Sequence, residues 1–311
     1  MNKPAIIILG PTGSGKSGAA ILLALELGTE IISADSMQLY RLMDIGTAKP
    51  SKKELSLVRH HLIDAIAPDG QWSAGSFARE ASRIMDRLSS EGKIPVIAGG
   101  TGLYIKTLTR GLMSAPEADE SFRAELLNNR EGLYEVLKSL DPETASLLAP
   151  ADTRRIIRAL EVRLKTRKPV SKLKRENTAP LPYDFIKIGL LRDRSELYSL
   201  IDERTSRMLA DGLVEEVKKV LGLPSPPSKT AMQAIGYKEI EGFLKGMYPY
   251  EEAVRLIKRN TRRYAKRQFT WFKKEEDVCW VDVTGLRTPE DIYGELRAAL
   301  IKSRPGIFQG K

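Results

Sequence analysis

Gly10-Pro11-Thr12-Gly13-Ser14-Gly15-Lys16-Ser17 follows directly on the apolar run 5–9. This is the full phosphate-loop spacing, glycine, four residues, then Gly-Lys-Ser, in the strand-loop-helix setting that gives it meaning. Glycines let backbone N–H groups wrap an anion, and the helix N-terminus adds partial positive charge. Lys16 supplies a mobile cation and Ser17 a hydroxyl that can ligate Mg²⁺. The ligand expected is therefore a phosphate or diphosphate.

A phosphate loop that hydrolyses or transfers a γ-phosphoryl group also needs an acidic residue at the end of a neighbouring apolar strand. The obvious strand, 94–98, ends instead in Gly99-Gly100-Thr101-Gly102. The acid appears at Asp35, after the run 30–34, which places it at the mouth of the second strand beside the phosphate loop. There it can take a proton from an acceptor. Capping of the turn Ser36-Met37-Gln38 is the structural alternative for the same carboxylate.

These groups need a frame that brings them to one edge. Residues 5–9, 30–34 and 94–98 read as strands, and 16–27 and 74–90 as helices, an alternation that predicts a parallel sheet with helices on both faces. Ligands of such sheets lie at the carboxyl ends of the strands, where Gly10, Asp35 and Gly99 would meet. Around residue 112 the texture changes to short helices, a Lys/Arg-rich loop (165–177) and a Pro-rich exit (179–184). The fold class expected is α/β, a phosphate-loop parallel sheet over 1–111 and 181–311 with a mainly helical insertion, 112–180, that binds nucleic acid. Strand character returns at 183–191, long helices are expected at 195–221, 230–244 and 251–274, then a strand at 278–283 and a helix from Pro289.

Fifty Lys plus Arg against forty Asp plus Glu give a formal charge of +10, so a polyanionic partner is the first to consider. Between 153 and 175 lie ten Lys/Arg and one acid, Glu161. A second basic run, 255–274, is interleaved with Tyr264, Phe269, Trp271 and Phe272. Basic residues with aromatics suit phosphate tracking and base stacking. A solvated face is the plain alternative for both runs, and a core position for Trp271 and Phe272. The single cysteine, Cys279, excludes an internal disulfide framework and reads as a buried strand residue. His60 and His61 read as hydrogen-bonded structural histidines. There is no leader sequence and no stretch of about 20 apolar residues, which points to the cytoplasm and to no membrane.

Eight blocks in order, GPTGSGKS, DSMQLY (35–40), GTAKP (46–50), HHLID (60–64), AGGTGLY (98–104), RRIIRALEV (154–162), AIGYKE (234–239) and RRYAKRQFTWF (262–272), resemble the tRNA dimethylallyltransferases. The resemblance spans residues 5 to about 275 and implies transfer of a dimethylallyl group from dimethylallyl diphosphate to the N6 amine of adenosine 37 in the anticodon stem-loop of tRNA. In that chemistry no water needs activation, which accounts for the missing strand-end acid. The loop then holds a leaving group, with Mg²⁺ on Ser17 as cofactor. The resemblance implies Asp35 as the base, Thr101 near the target nucleotide, and Arg204, with Arg207 as second choice, as a clamp on the diphosphate. It assigns tRNA contact to Asp35, Ser36, Met37, Gln38, Thr101, Arg123, Arg154, Arg155, Ile156, Ile157 and Arg158. Arg154 stands where the family carries glutamine. Gln268, Trp271 and Arg267 match the family in type. The absence of Cys/His pairs toward Lys311 resembles the shorter bacterial form, expected to act as a monomer. Two rivals are a small-molecule kinase using the loop for ATP and a non-catalytic, RNA-binding nucleotide switch.

Overall fold

The computed structural model describes residues 3–113, 115–176 and 178–308. The chain divides into two compact units, 1–105 with 182–311, and 106–181.

The larger unit is built on a six-stranded, all-parallel sheet: β1 (Lys3–Leu9), β2 (Ile31–Ser33), β3 (His60–His61), β4 (Val96–Gly99), β5 (Tyr183–Leu191) and β6 (Val278–Asp282), in the spatial order β3-β2-β4-β1-β5-β6. Ala5, Ile6, Ile7, Ile8 and Leu9 are fully buried, the continuous apolar run that a strand covered on both faces requires. The order corrects one expectation: β4 separates β2 from β1, so Asp35 and the phosphate loop flank the glycine turn after β4. Close approach at that point depends on Gly99, because a Cβ there would lie 2.2 Å from the Ala34 carbonyl oxygen.

Helices α1 (Lys16–Leu27), α2 (Lys52–Leu57) and α3 (Ala74–Ser90) link the first four strands, and α4 (Gly102–Thr109) follows β4. The helix at 16–27 ends where Gly28 takes φ 59°, and its inner face, Ala19, Ala20, Leu23 and Ala24, packs under the sheet.

The smaller unit carries α5 (Glu120–Asn128), α6 (Leu133–Leu140), α7 (Pro142–Ser146), α8 (Thr153–Thr166) and α9 (Val170–Glu176) around its own core of Leu137, Ile156, Leu160 and Val162. Glu161 is fully buried in it and accepts hydrogen bonds from Arg123, Arg158 and the Asp119 amide, three donors that together hold its carboxyl below the usual range despite burial.

After β5 the chain forms α10 (Arg194–Ala210), α11 (Leu213–Leu221), α12 (Tyr237–Leu244), α13 (Tyr250–Phe272) and, after β6, α14 (Pro289–Ser303). Two expected helices are interrupted. Gly212, at φ 99°, divides 195–221, and Gly236, at φ 102°, reduces 230–244 to a short 3₁₀ turn followed by α12. Left-handed backbone is open to glycine and breaks the helical ladder. His60 donates from Nδ1 to the Val58 carbonyl (2.8 Å), and His61 pairs with Glu30 (2.5 Å), structural roles as expected. Cys279 lies in β6 but is half-buried rather than buried.

Candidate active site

The phosphate loop runs from the end of β1 into α1. Gly13 (φ 85°) and Gly15 (φ 90°) adopt left-handed backbone that bends the chain around a concavity. Because the first-turn N–H groups of a helix have no intrahelical partner, the start of α1 presents donors to it. Ser17 is exposed at this turn. Lys16 Nζ donates to the Pro11 carbonyl (2.8 Å), and the Ser14 hydroxyl is fully buried with no hydrogen-bond partner among the described residues.

Three side chains outside the loop converge on it. Arg204 of α10 donates from Nη2 to Thr12 Oγ1 (2.7 Å). Gln268 of α13, 6% exposed, accepts from the Thr12 amide (2.9 Å) and donates to the Gly100 carbonyl (2.9 Å). Asp35 acts on both cations. Burial lowers Lys16 from 10.5 to about 8, with Asp35 opposing that fall and Arg204 adding to it. Arg204 is likewise lowered by burial and partly restored by Asp35. The structure distinguishes Arg204 from the second choice: Arg207, one turn on, is exposed.

On the acceptor side, Asp35 Oδ1 accepts from the amides of Met37 (2.8 Å) and Gln38 (3.3 Å). The carboxylate thus caps the turn with one oxygen, and Oδ2 makes no hydrogen bond among the described residues. Thr101 Oγ1 accepts from the Ser36 amide (3.0 Å), tying this turn to the one after β4. The Gln38 carboxamide accepts from Ser33 Oγ (3.1 Å) and donates to the Ala48 carbonyl (3.1 Å), so it holds the next loop. That loop is fixed in turn by Glu216 of α11, which accepts from the amides of Asp44 (2.9 Å), Ile45 (2.8 Å) and Gly46 (3.0 Å) and from the Tyr237 hydroxyl. Tyr104 and Tyr264, raised by burial and then by Asp35, are neutral hydroxyls beside the carboxylate.

Sequence reasoning missed Glu216 and the placement of Gln268. Their signal was indirect, in glycines. A Cβ at Gly100 would lie 2.2 Å from Gln268 Nε2, one at Gly102 2.3 Å from Trp271 Cδ1, and one at Gly46 2.4 Å from Tyr237 Cε2. Phe272 is fully buried whereas Trp271 is 38% exposed, so of the two aromatics only Phe272 is core.

The smaller unit positions the remaining expected residues differently from one another. Arg154 and Arg155 stand exposed on the first turns of α8. Ile156 and Ile157 are 2% and 6% exposed in that unit's core, where they support the helix and offer no surface. Arg123 and Arg158 are committed to buried Glu161.

A family model described as IPP transferase matches residues 38–275. A tRNA dimethylallyltransferase of Thermodesulfovibrio yellowstonii is 46% identical over 309 residues, covering 96% of this chain and 98% of that protein. That of Geobacter sulfurreducens is 49% identical over 283 residues, covering 89% and 91%. Among solved structures, the tRNA isopentenylpyrophosphate transferase of Bacillus halodurans aligns with a TM-score of 0.70 at 37% identity over 96% of this chain and 97% of that one. A eukaryotic dimethylallyltransferase described as acting on tRNA aligns with a TM-score of 0.82 at 29% identity over 97% of this chain and 79% of that one. A phosphate loop without a strand-end acid, faced by an aspartate across a glycine turn, is thus found in a chain that belongs to the IPP transferase family of tRNA dimethylallyltransferases.

Proposed function

We propose that this chain transfers the dimethylallyl group of dimethylallyl diphosphate to the N6 amine of adenosine 37 in the anticodon stem-loop of tRNA, releasing diphosphate. The observation that carries this reading is the pairing of a phosphate loop and a carboxylate on opposite sides of the turn after β4: Gln268 ties the loop to that turn, and Thr101 ties to it the Ser36 amide next to Asp35. One side is equipped for a leaving anion and the other for a proton.

As the allylic C–O bond breaks, its electron pair goes to the diphosphate. Lys16, Arg204 and the loop amides meet that charge with donors already in place, the arrangement that costs least reorganisation in the transition state. The unpartnered Ser14 hydroxyl is a further donor inside the loop. The N6 lone pair forms the new C–N bond, and Asp35 takes the proton that the amine sheds. The unbonded Oδ2 suits this task, because Oδ1 already holds the turn. A stacked adenine cannot reach the prenyl carbon and must be extruded, which is cheapest from a single-stranded loop. Arg154 and Arg155 are exposed cations on the first turns of α8, suited to tRNA phosphates.

The residues fit a Mg²⁺ ion carried largely by the substrate. Ser17 offers an exposed hydroxyl, and no group of three His, Cys, Asp or Glu side chains forms a cage among the described residues. Mg²⁺ keeps several waters and binds through few protein ligands plus phosphate oxygens, and when bound it would neutralise charge on the diphosphate. All the reacting groups come from one chain, so a monomer suffices, and a tRNA substrate supports a cytoplasmic location. No helix among the described residues is long and apolar enough to cross a membrane.

Incubation with radiolabelled dimethylallyl diphosphate and unmodified tRNA, without ATP, should pass label into tRNA, and mass spectrometry should find it on adenosine 37. Label passing only from γ-labelled ATP would refute the reading in favour of a kinase.

A further inference from the structure

Gln268 stands among the basic and aromatic residues of α13, where a nucleic-acid contact would be the simple reading, yet its side chain faces inward. The residue is 6% exposed, and both ends of its carboxamide are taken: Oε1 accepts from the Thr12 amide and Nε2 donates to the Gly100 carbonyl, each at 2.9 Å. The partners dictate the side chain. A backbone N–H requires an acceptor and a carbonyl requires a donor, and a carboxamide presents one of each. Gly100 is tailored to the contact, since any side chain there would strike Nε2.

Thr12 and Gly100 belong to the two halves of the chemistry. Thr12 is within the phosphate loop and also receives Arg204. Gly100 precedes Thr101, whose hydroxyl holds the Ser36 amide next to Asp35. A continuous line of hydrogen bonds and short backbone steps therefore runs from the leaving-group donors through Gln268 to the base. We propose that Gln268 is a positioning residue that fixes the phosphate loop against the turn after β4, and so sets the separation between the departing diphosphate and the Asp35 carboxylate. It touches neither substrate. This rests on the transfer reaction proposed above, in which the prenyl carbon must lie between those two groups. A displacement of about 1 Å at such a centre costs on the order of 10²-fold in rate.

The test uses the full-length chain with Gln268→Glu and Gln268→Met, assayed for prenyl transfer to tRNA beside the wild type. Gln268→Met should lower kcat by about 10²-fold, while the Kd values for inorganic diphosphate and for tRNA stay within about threefold, a difference of well under 1 kcal/mol in binding. Gln268→Glu gives a readout that loss of packing would not move. An ionised glutamate can accept from Thr12 but opposes the Gly100 carbonyl, whereas a protonated one donates to that carbonyl as the amide does. Its kcat relative to wild type should therefore be low near pH 8.5 and rise about tenfold or more toward pH 5.5, because burial opposite a carbonyl raises a carboxyl pKa; of the groups that face it, Tyr264 is a neutral hydroxyl and Arg204, bound to Thr12, opposes only part of the rise. A flat ratio across that range, or wild-type kcat in Gln268→Met, would overturn the inference. So would a loss confined to tRNA affinity with kcat unchanged, which would make Gln268 a tRNA contact. Should Gln268→Met fail to fold, the pH dependence of Gln268→Glu decides alone. No transfer by the wild type would instead refute the proposed function.

Discussion

Arg204 Nη2 lies 2.7 Å from Thr12 Oγ1, joining α10 to the phosphate loop across 192 residues of sequence. The planar guanidinium keeps further donors for the ligand side of the loop, a geometry that lysine does not reproduce. Arg204→Ala should lower kcat with labelled dimethylallyl diphosphate by about 10²- to 10³-fold, the usual effect of removing a donor that meets developing charge. Arg204→Lys should recover little of it. The exposed Arg207, changed to alanine, should leave kcat within about twofold; an equal loss at Arg207 would contradict the assignment.

Asp35→Asn retains an oxygen for the amides of Met37 and Gln38, so the turn survives while the proton acceptor is lost. Turnover should fall by about 10²- to 10⁴-fold, with tRNA affinity in filter binding little changed. A variant within a few-fold of wild-type kcat would remove Asp35 from the mechanism.

Lys16 gives two pH predictions. Diphosphate favours the charged ammonium, so the affinity of the free protein for diphosphate should weaken as pH rises through about 8; calorimetry across that interval measures it. Stability runs the other way. The unfolded lysine titrates at 10.5 and the folded one at about 8, so between these values the unfolded chain binds more protons and folding gains as pH rises. Below about 8 the penalty for the buried charge is present in full. Lys16→Met should therefore abolish transfer yet raise the Tm of the ligand-free protein at pH 7, a combination that simple misfolding would not produce.

Gly99→Ala places a methyl group against the backbone of Ala34, with no flexible side chain to give way. The mouths of β2 and β4 would have to separate, at a cost of about 1–3 kcal/mol. Denaturant melts should show that loss together with a fall in kcat; undiminished activity would mean that the close approach is dispensable.

Glu161→Gln tests the smaller unit. Removing the buried charge weakens the shared anchor of Arg123 and Arg158, which keep Glu120 and the Pro116 carbonyl as partners, at a cost of about 1–3 kcal/mol. Limited proteolysis should cut first within 106–181. A loss of tRNA affinity with unchanged protease resistance would instead make this network part of a binding surface.

The parallel sheet and the identity of the phosphate loop were legible because their signals are local: β-branched runs buried on both faces, and a loop whose glycines have one physical use. The position of Asp35 at the mouth of β2 was legible, from a neighbouring strand that ends in glycine where an acid is expected. The strand order was not, since neighbours in a parallel sheet are chosen by packing among helices and leave no mark in short apolar runs. Helix lengths after β5 were misread because Gly212 and Gly236 lie in otherwise periodic segments, where a glycine is tolerated as often as it breaks a helix. Gln268 and Glu216 looked like ordinary polar residues of amphipathic helices. What they bind is backbone, and backbone partners carry no side-chain signature. Ile156 and Ile157 show the reverse error: a block that matches a family by sequence includes the residues that hold its helix in place.

Strand β1 pairs in register with β5, Lys3 against Tyr183 through Leu9 against Gly189. The phosphate loop therefore emerges early in synthesis, but one of the two sheet neighbours of its strand, β5, appears only after the whole unit 106–181 has been made, and Arg204 and Gln268 come later still. Long-range parallel pairing of this kind is slow to form. A nascent chain thus exposes an incomplete, sticky strand edge through most of translation and gains its chemistry only near the end, so the interval before closure is when it most depends on chaperones.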